Sequence, residues 1–77
     1  MSVGYSLKLR DTNMRASSKL LGVRLGRVCI KKDVPATVVA QRLGVSRQTV
    51  YNWFRGTSNP AVAIVGLVEN YIATLDQ

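Results

Sequence analysis

An all-α fold, a small bundle of about four to five helices, is what this 77-residue sequence predicts, and three observations point there. Apolar residues recur at helical spacing in three separate segments. Residues that end and start helices, Gly44 with Ser46 and Asn59 with Pro60, fall between those segments. One cysteine and no histidine leave neither an intramolecular disulfide nor a zinc site to hold the chain together. Stability must then come from an apolar core, and a chain of this length has room for one domain with such a core if it is helical and well packed.

Residues 1–13 read as an N-terminal arm, flexible or strand-like. Tyr5, Leu7 and Leu9 alternate with Ser6, Lys8 and Arg10, which is the period of a strand, and Met1 to Gly4 reads as frayed. A lone strand would need a second copy to pair with; otherwise the arm is disordered or trails along a polyanion. Residues 14–77 are then the helical domain. In its first helix Leu21, Leu25, Val28 and Cys29 share an arc of roughly 100°, with Arg24, Arg27 and Lys31 on the neighbouring arc. Ser17, or else Asn13, is its expected N-cap. Gly22 and Gly26 each cost about 1 kcal/mol against Ala in such a helix, unless another backbone packs closely there.

The segment 36–56, ATVVAQRLGVSRQTVYNWFRG, carries most of the information. Val39, Ala40 and Leu43 form one helical face, Gly44 supplies a left-handed residue to end that helix, and Ser46 caps the next. Val50, Trp53 and Phe54 form the inner face of this second helix, 46–55. Ala40 suits the point where two helices cross through a tight turn. Downstream, Asn59 as N-cap and Pro60 as first residue open a helix to about Leu75. Its apolar residues, Ile64, Val65, Leu67, Val68, Tyr71, Ile72 and Leu75, cover roughly 160°, more than one small core needs. The surplus suggests a homodimer through Ile64, Val68, Tyr71, Ile72 and Leu75, or else a core covered further by the N-terminal segment.

Charge narrows the partner. Residues 1–56 hold all 11 Lys and Arg with Asp11 and Asp33, a balance of +9, whereas residues 57–77 hold only Glu69 and Asp76. Such asymmetry fits double-stranded DNA, because each cation placed on a phosphate releases condensed counterions. Catalysis has little to work with: no histidine, four carboxylates, no zinc spacing and no phosphate-binding glycine loop. No enzyme activity, metal or cofactor is expected. The longest apolar run, AVAIVGLV at 61–68, is too short to span a bilayer, and no signal-peptide order opens the chain, so no membrane partner is expected and the location should be cytoplasmic.

Over residues 21–60 the sequence, without gaps, resembles the Xre/Cro-type helix-turn-helix domains of phage repressors and related bacterial regulators. Val39, Ala40, Gly44, Val45, Ser46, Val50, Trp53 and Gly56 stand at that family's spacing, with Leu21, Leu25 and Val28 in its first-helix pattern. The resemblance implies a lambda-repressor-like DNA-binding fold whose helix 46–55 enters the major groove. It places Arg47, Gln48 and Asn52 at base-reading positions, where Arg can clasp guanine O6 and N7 and Gln adenine N6 and N7. Ser46, Thr49, Tyr51, Arg55, Ser58, Asn59, Lys31 and Arg24 are the candidate contacts to the DNA backbone. It also implies a repressor or Cro-like switch protein acting on the nucleoid of a bacterial or phage-infected cell.

Two positions depart from the family's pattern. Ala36, after Pro35, stands where many members carry a Gln that supports a phosphate contact, which moves anchoring to the backbone amides of that helix and to residues 56–59. Cys29 and Phe54 stand where members often pair a buried Arg with a Glu. Losing both charges together is tolerable, whereas losing one would strand the other at about 3 to 5 kcal/mol, so Cys29 and Phe54 should meet in the core. The alternatives are an excisionase-like or architectural DNA-binding protein, which would need a β-hairpin wing after the second helix, and a protein-binding phage adaptor built on the same scaffold.

Overall fold

The computed structural model describes residues 5–77 and, among them, the only regular secondary structure is helical. Five α-helices, α1 (Leu7–Arg15), α2 (Leu21–Lys32), α3 (Ala36–Leu43), α4 (Arg47–Arg55) and α5 (Val65–Leu75), follow in order, with a 3₁₀ turn at Val62–Ile64 before the last. The central element is α2. It packs on α1, α4 and α5, while α3 and α1 each lean on α4. Leu25, Cys29, Val39, Val50, Phe54 and Val68 have no exposure and come from four of the helices, so one core ties the bundle together. Cys29 and Phe54 lie in that core together, as their joint departure from the charged pair requires.

Gly22 and Gly26 explain how α2 comes so close to α4. A Cβ on Gly22 would lie 2.7 Å from Trp53 Cβ and 3.0 Å from its Cα and carbonyl oxygen; one on Gly26 would lie 2.6 Å from Asn13 Nδ2 and 2.8 Å from Phe54 Cγ. The glycines, one turn apart, therefore form the flat strip on which α4 rests, and the propensity they forfeit is returned as packing. At the helix ends Asp33, Gly44 and Gly56 all adopt left-handed backbone. In each case the next residue's amide reaches back to a last-turn carbonyl: Val34 to Cys29, Val45 to Ala40, Thr57 to Asn52. This Schellman closure satisfies carbonyls that would otherwise be orphaned and turns the chain sharply towards the next helix.

The N-terminal segment differs from the strand or flexible arm expected of residues 1–13. Residues 7–15 form α1, capped by Ser6, whose Oγ accepts from the Leu9 amide at 3.1 Å. The alternation misleads because Leu7 is 82% exposed while Leu9, one helical turn before Asn13, is buried. The frayed reading of residues 1–4 lies outside the described residues. Nor does Ser17 or Asn13 cap α2, which begins after Leu20 with no side-chain cap from its own N-cap residue. Asn13 is instead buried in α1 and donates from Nδ2 to the carbonyls of Phe54 (2.8 Å) and Val23 (3.2 Å). Arg27 donates to the carbonyls of Ala16 (2.9 Å) and Met14 (3.2 Å), closing the C-terminal end of α1.

The cap expected of Asn59 is also redirected. Its Oδ1 accepts from the Gly22 amide at 3.0 Å, so it caps α2 from 37 residues away, and Pro60 is buried ahead of the 3₁₀ turn rather than opening a helix. In α5, Val68 and Tyr71 are buried within the chain's own core, with Arg42 of α3 stacked 5.3 Å over the Tyr71 ring. Those two side chains are therefore not available to a second copy, contrary to the proposed dimer surface. Ile64, Ile72 and Leu75 remain partly exposed, Leu67 is 51% exposed, and Val62 on the preceding turn is 92% exposed.

Candidate nucleic-acid interface

The outer face of α4 is set by the same packing that fixes its inner face. With Val50, Trp53 and Phe54 buried, the roughly 100° step per residue turns Gln48, Asn52 and Arg55 away from the core, with Arg47 and Tyr51 on one flank and Thr49 on the other. Arg47 and Gln48 are exposed. Ser46 caps the helix as expected: its Oγ accepts from the Thr49 amide at 3.1 Å and lies 2.9 Å from Thr49 Oγ1.

Three outer-face side chains are linked before any ligand arrives. Gln48 Nε2 donates to Asn52 Oδ1 at 3.1 Å, and an Arg55 Nη donates to the same oxygen at 3.0 Å. A guanidinium can only donate, so Arg55 fixes which end of the Asn52 amide is the oxygen and leaves its NH₂ to donate elsewhere. Gln48 keeps one N–H and its own carbonyl, the pair that matches adenine N6 and N7. Freezing three flexible side chains in one arrangement lowers the entropy lost on binding.

Around this face the charge has one sign. No carboxylate occurs between Asp33 and Glu69, a stretch that includes α3, α4 and the loop after it. Asp33 ends α2, and Glu69 and Asp76 belong to α5 and its end. Ala36, the departure at the start of α3, is buried, and Pro35 before it offers no side-chain cap. The third amide of α3, that of Val38, donates to the Pro35 carbonyl at 3.0 Å, where Leu9 and Thr49 meet the hydroxyls of Ser6 and Ser46, and no side chain of the N-cap residue serves the amides of Ala36 and Thr37.

The remaining expected contacts divide. Ser46, Thr49, Tyr51 and Arg55 lie on α4 or its cap, and Ser58 is exposed on the loop that follows. Asn59 is committed through Oδ1 to Gly22. Arg24 and Lys31 are exposed, but on a helical wheel they lie roughly opposite Gly22 and Gly26, so α2 itself separates them from α4. Lys31 instead borders a groove with Arg10, Met14, Arg27 and Ile30. The sequence offers Asn13 only as a possible cap and does not single out Val23, whose carbonyl Asn13 holds; the one local signal for burying Asn13 is its place one turn after Leu9.

The helix-turn-helix family model matches residues 25–74, which covers α2 from its second turn through α5. No curated protein and no solved structure shows significant similarity to the chain. The geometry of α3, turn and α4 agrees with the match, and no helix is long and apolar enough to cross a membrane among the described residues. The chain belongs to the Xre/Cro-type helix-turn-helix family, whose members are DNA-binding regulators.

Proposed function

We propose that this protein is a sequence-specific regulator of transcription, of the repressor or Cro kind, that lays α4 in the major groove of double-stranded DNA. The observation that carries this reading is the outer face of α4, where Arg47 and Gln48 stand exposed and Gln48, Asn52 and Arg55 are pre-linked, on a surface without carboxylates. Arg47, Gln48 and Asn52 read base edges. Ser46, Thr49, Tyr51, Arg55 and Ser58 hold the backbone, together with the uncapped amides at the start of α3. Arg24 and Lys31 contribute through the field of the basic body.

The protein works as a homodimer in the cytoplasm, with the apolar side chains that α5 leaves partly exposed as the contact: Leu67 on one flank of its buried face, Ile72 on the other, and Ile64 and Leu75 between. A two-fold pair reads half-sites about one helical turn apart. An excisionase-like wing has no place here, since the 3₁₀ turn and α5 occupy the chain after α4.

Selection of random duplexes by the purified protein at two salt concentrations tests this reading. An enriched palindrome is the expected result; salt-sensitive binding without selection would make the protein architectural, and no binding would turn attention to a protein partner. Arg47→Ala should relax the preference at one base pair per half-site, a loss of about 1 to 3 kcal/mol of discrimination. An unchanged preference would refute the groove assignment.

A further inference from the structure

Helix α1 lies outside the stretch matched by the family, yet its first turn is held at the margin of the α3–α4 surface. The Tyr5 hydroxyl donates to the Val34 carbonyl, two residues before α3 begins, and the Tyr5 ring meets Tyr51 of α4 edge-on at 6.4 Å. Between α1 and α4 runs a cleft made of two hollows that share Ser6, Leu9 and Arg55; Tyr5 and Tyr51 line one, Lys8 and Thr12 the other. No carboxylate lines either hollow.

We propose that this cleft holds a backbone phosphate of the bound DNA, gripped by Lys8 and Arg55, so that α1 extends the interface beyond the helix-turn-helix. This rests on the DNA-binding reading above. Among the described residues the one ion pair is Arg15 with Asp11 at 3.3 Å, so Lys8 and Arg55 bring charges that no carboxylate has neutralised. The Ser6 hydroxyl accepts from the Leu9 amide and keeps its own proton to donate, whereas Thr12 spends its proton on the Lys8 carbonyl.

Dimensions favour a phosphate over a base. A helix with its side chains is about 10 to 12 Å across and fills a major groove about 12 Å wide. What stands beside α4 once it is seated is therefore the strand that borders the groove. Arg55 joins the two surfaces, since it touches Asn52 on the reading face and lines both hollows.

The test compares Lys8→Gln with Arg15→Gln in salt titrations of binding to the selected duplex and to an unrelated one. Both residues are exposed on α1 and both changes remove one charge, but Arg15 is already paired with Asp11. Lys8→Gln should weaken binding to both duplexes alike, roughly three- to tenfold near 0.1 M salt, and lower the slope of log K against log salt by about 0.9. Ethylation interference should show one flanking phosphate that matters to the wild type and no longer to Lys8→Gln. An unchanged slope for Lys8→Gln, or an equal loss for Arg15→Gln, overturns the cleft while leaving the function in place. A wild type that binds neither duplex overturns the function, and the cleft with it.

Discussion

Helices α1 and α5 lie at opposite ends of the described chain and are held in opposite ways. Polar α1 buries only Leu9 and Asn13, and Asn13 is bonded to α4 and α2 while Arg27 closes the helix end. Apolar α5 makes no such bonds to the rest of the bundle; it buries Val68 and Tyr71 and leaves Leu67 half exposed. One helix is fixed by directional contacts that admit one pose, the other by apolar area that tolerates adjustment. On the proposed function, a helix that borders the reading face needs the first kind, and one that meets a second copy can use the second.

Truncating the apolar end should have the largest effect. Tyr71→Ala removes a buried ring and its Arg42 stack, and should lower unfolding free energy by about 3 kcal/mol in urea titrations. A loss below about 1 kcal/mol would mean that α5 is dispensable to the core. Gly26→Ala comes next, at about 2 kcal/mol, because the new methyl meets Asn13 and Phe54 at once and wedges α1 and α4 off α2. If it stabilises instead, the glycine strip is loose. Asn13→Ala should cost about 1 to 2 kcal/mol. Its signature is local: faster hydrogen exchange in α1, with α5 unchanged. Uniformly faster exchange would erase the contrast between the two helices.

These expectations also show what could be read from the sequence. The stretch from Ala36 to Gly56 was legible because its period, its Ser46 cap and its two left-handed glycines all act within a few residues. The base-reading trio is placed by resemblance, and the position of Arg24 and Lys31 on the side of α2 turned from α4 is not legible, because a wheel drawn for one helix does not say which neighbour covers it. Asn13, Arg27 and Asn59 were illegible for a common reason. Each polar side chain finds its partner 10 to 41 residues away, and no local pattern distinguishes such a group from a solvated one. In α1 the Ser6 cap was a usable signal, outweighed by an accidental alternation.

Alkali should act on both ends through the centre, with a smaller and graded effect. Burial pushes the Cys29 thiol up to about 12, and it raises the Tyr5 and Tyr71 phenols as well, Cys29 adding to both. These acids stay neutral in the fold but ionise more readily once unfolded. Stability is therefore complete well below the unfolded thiol's pKa of about 8.5, where that thiol is still protonated, and declines as pH rises through it towards 12. Urea midpoints at pH 7 and pH 10.5 should show the decline, and Cys29→Ala should flatten it; an equal slope in the variant would assign the effect elsewhere. The smallest change is expected from Leu67→Ser, within about 0.5 kcal/mol for the isolated chain. Its effect should appear in sedimentation instead, as weaker self-association, and unchanged sedimentation would exclude that edge of α5 from the dimer.

The hydrogen bond from Asn13 to Phe54 spans 41 residues, and that from Tyr5 to Val34 spans 29. Among the described helices α1 is made first during synthesis, but the carbonyl that holds it belongs to the last turn of α4. The contacts of α1 with α2 join neighbouring helices and can form early, but the Asn13 amide bonds carbonyls of α2 and α4 at once, and that pair of bonds has to wait for α4 to be laid on α2. Docking of α1 is thus a late event in folding, and mutations in α1 should speed unfolding while hardly slowing refolding.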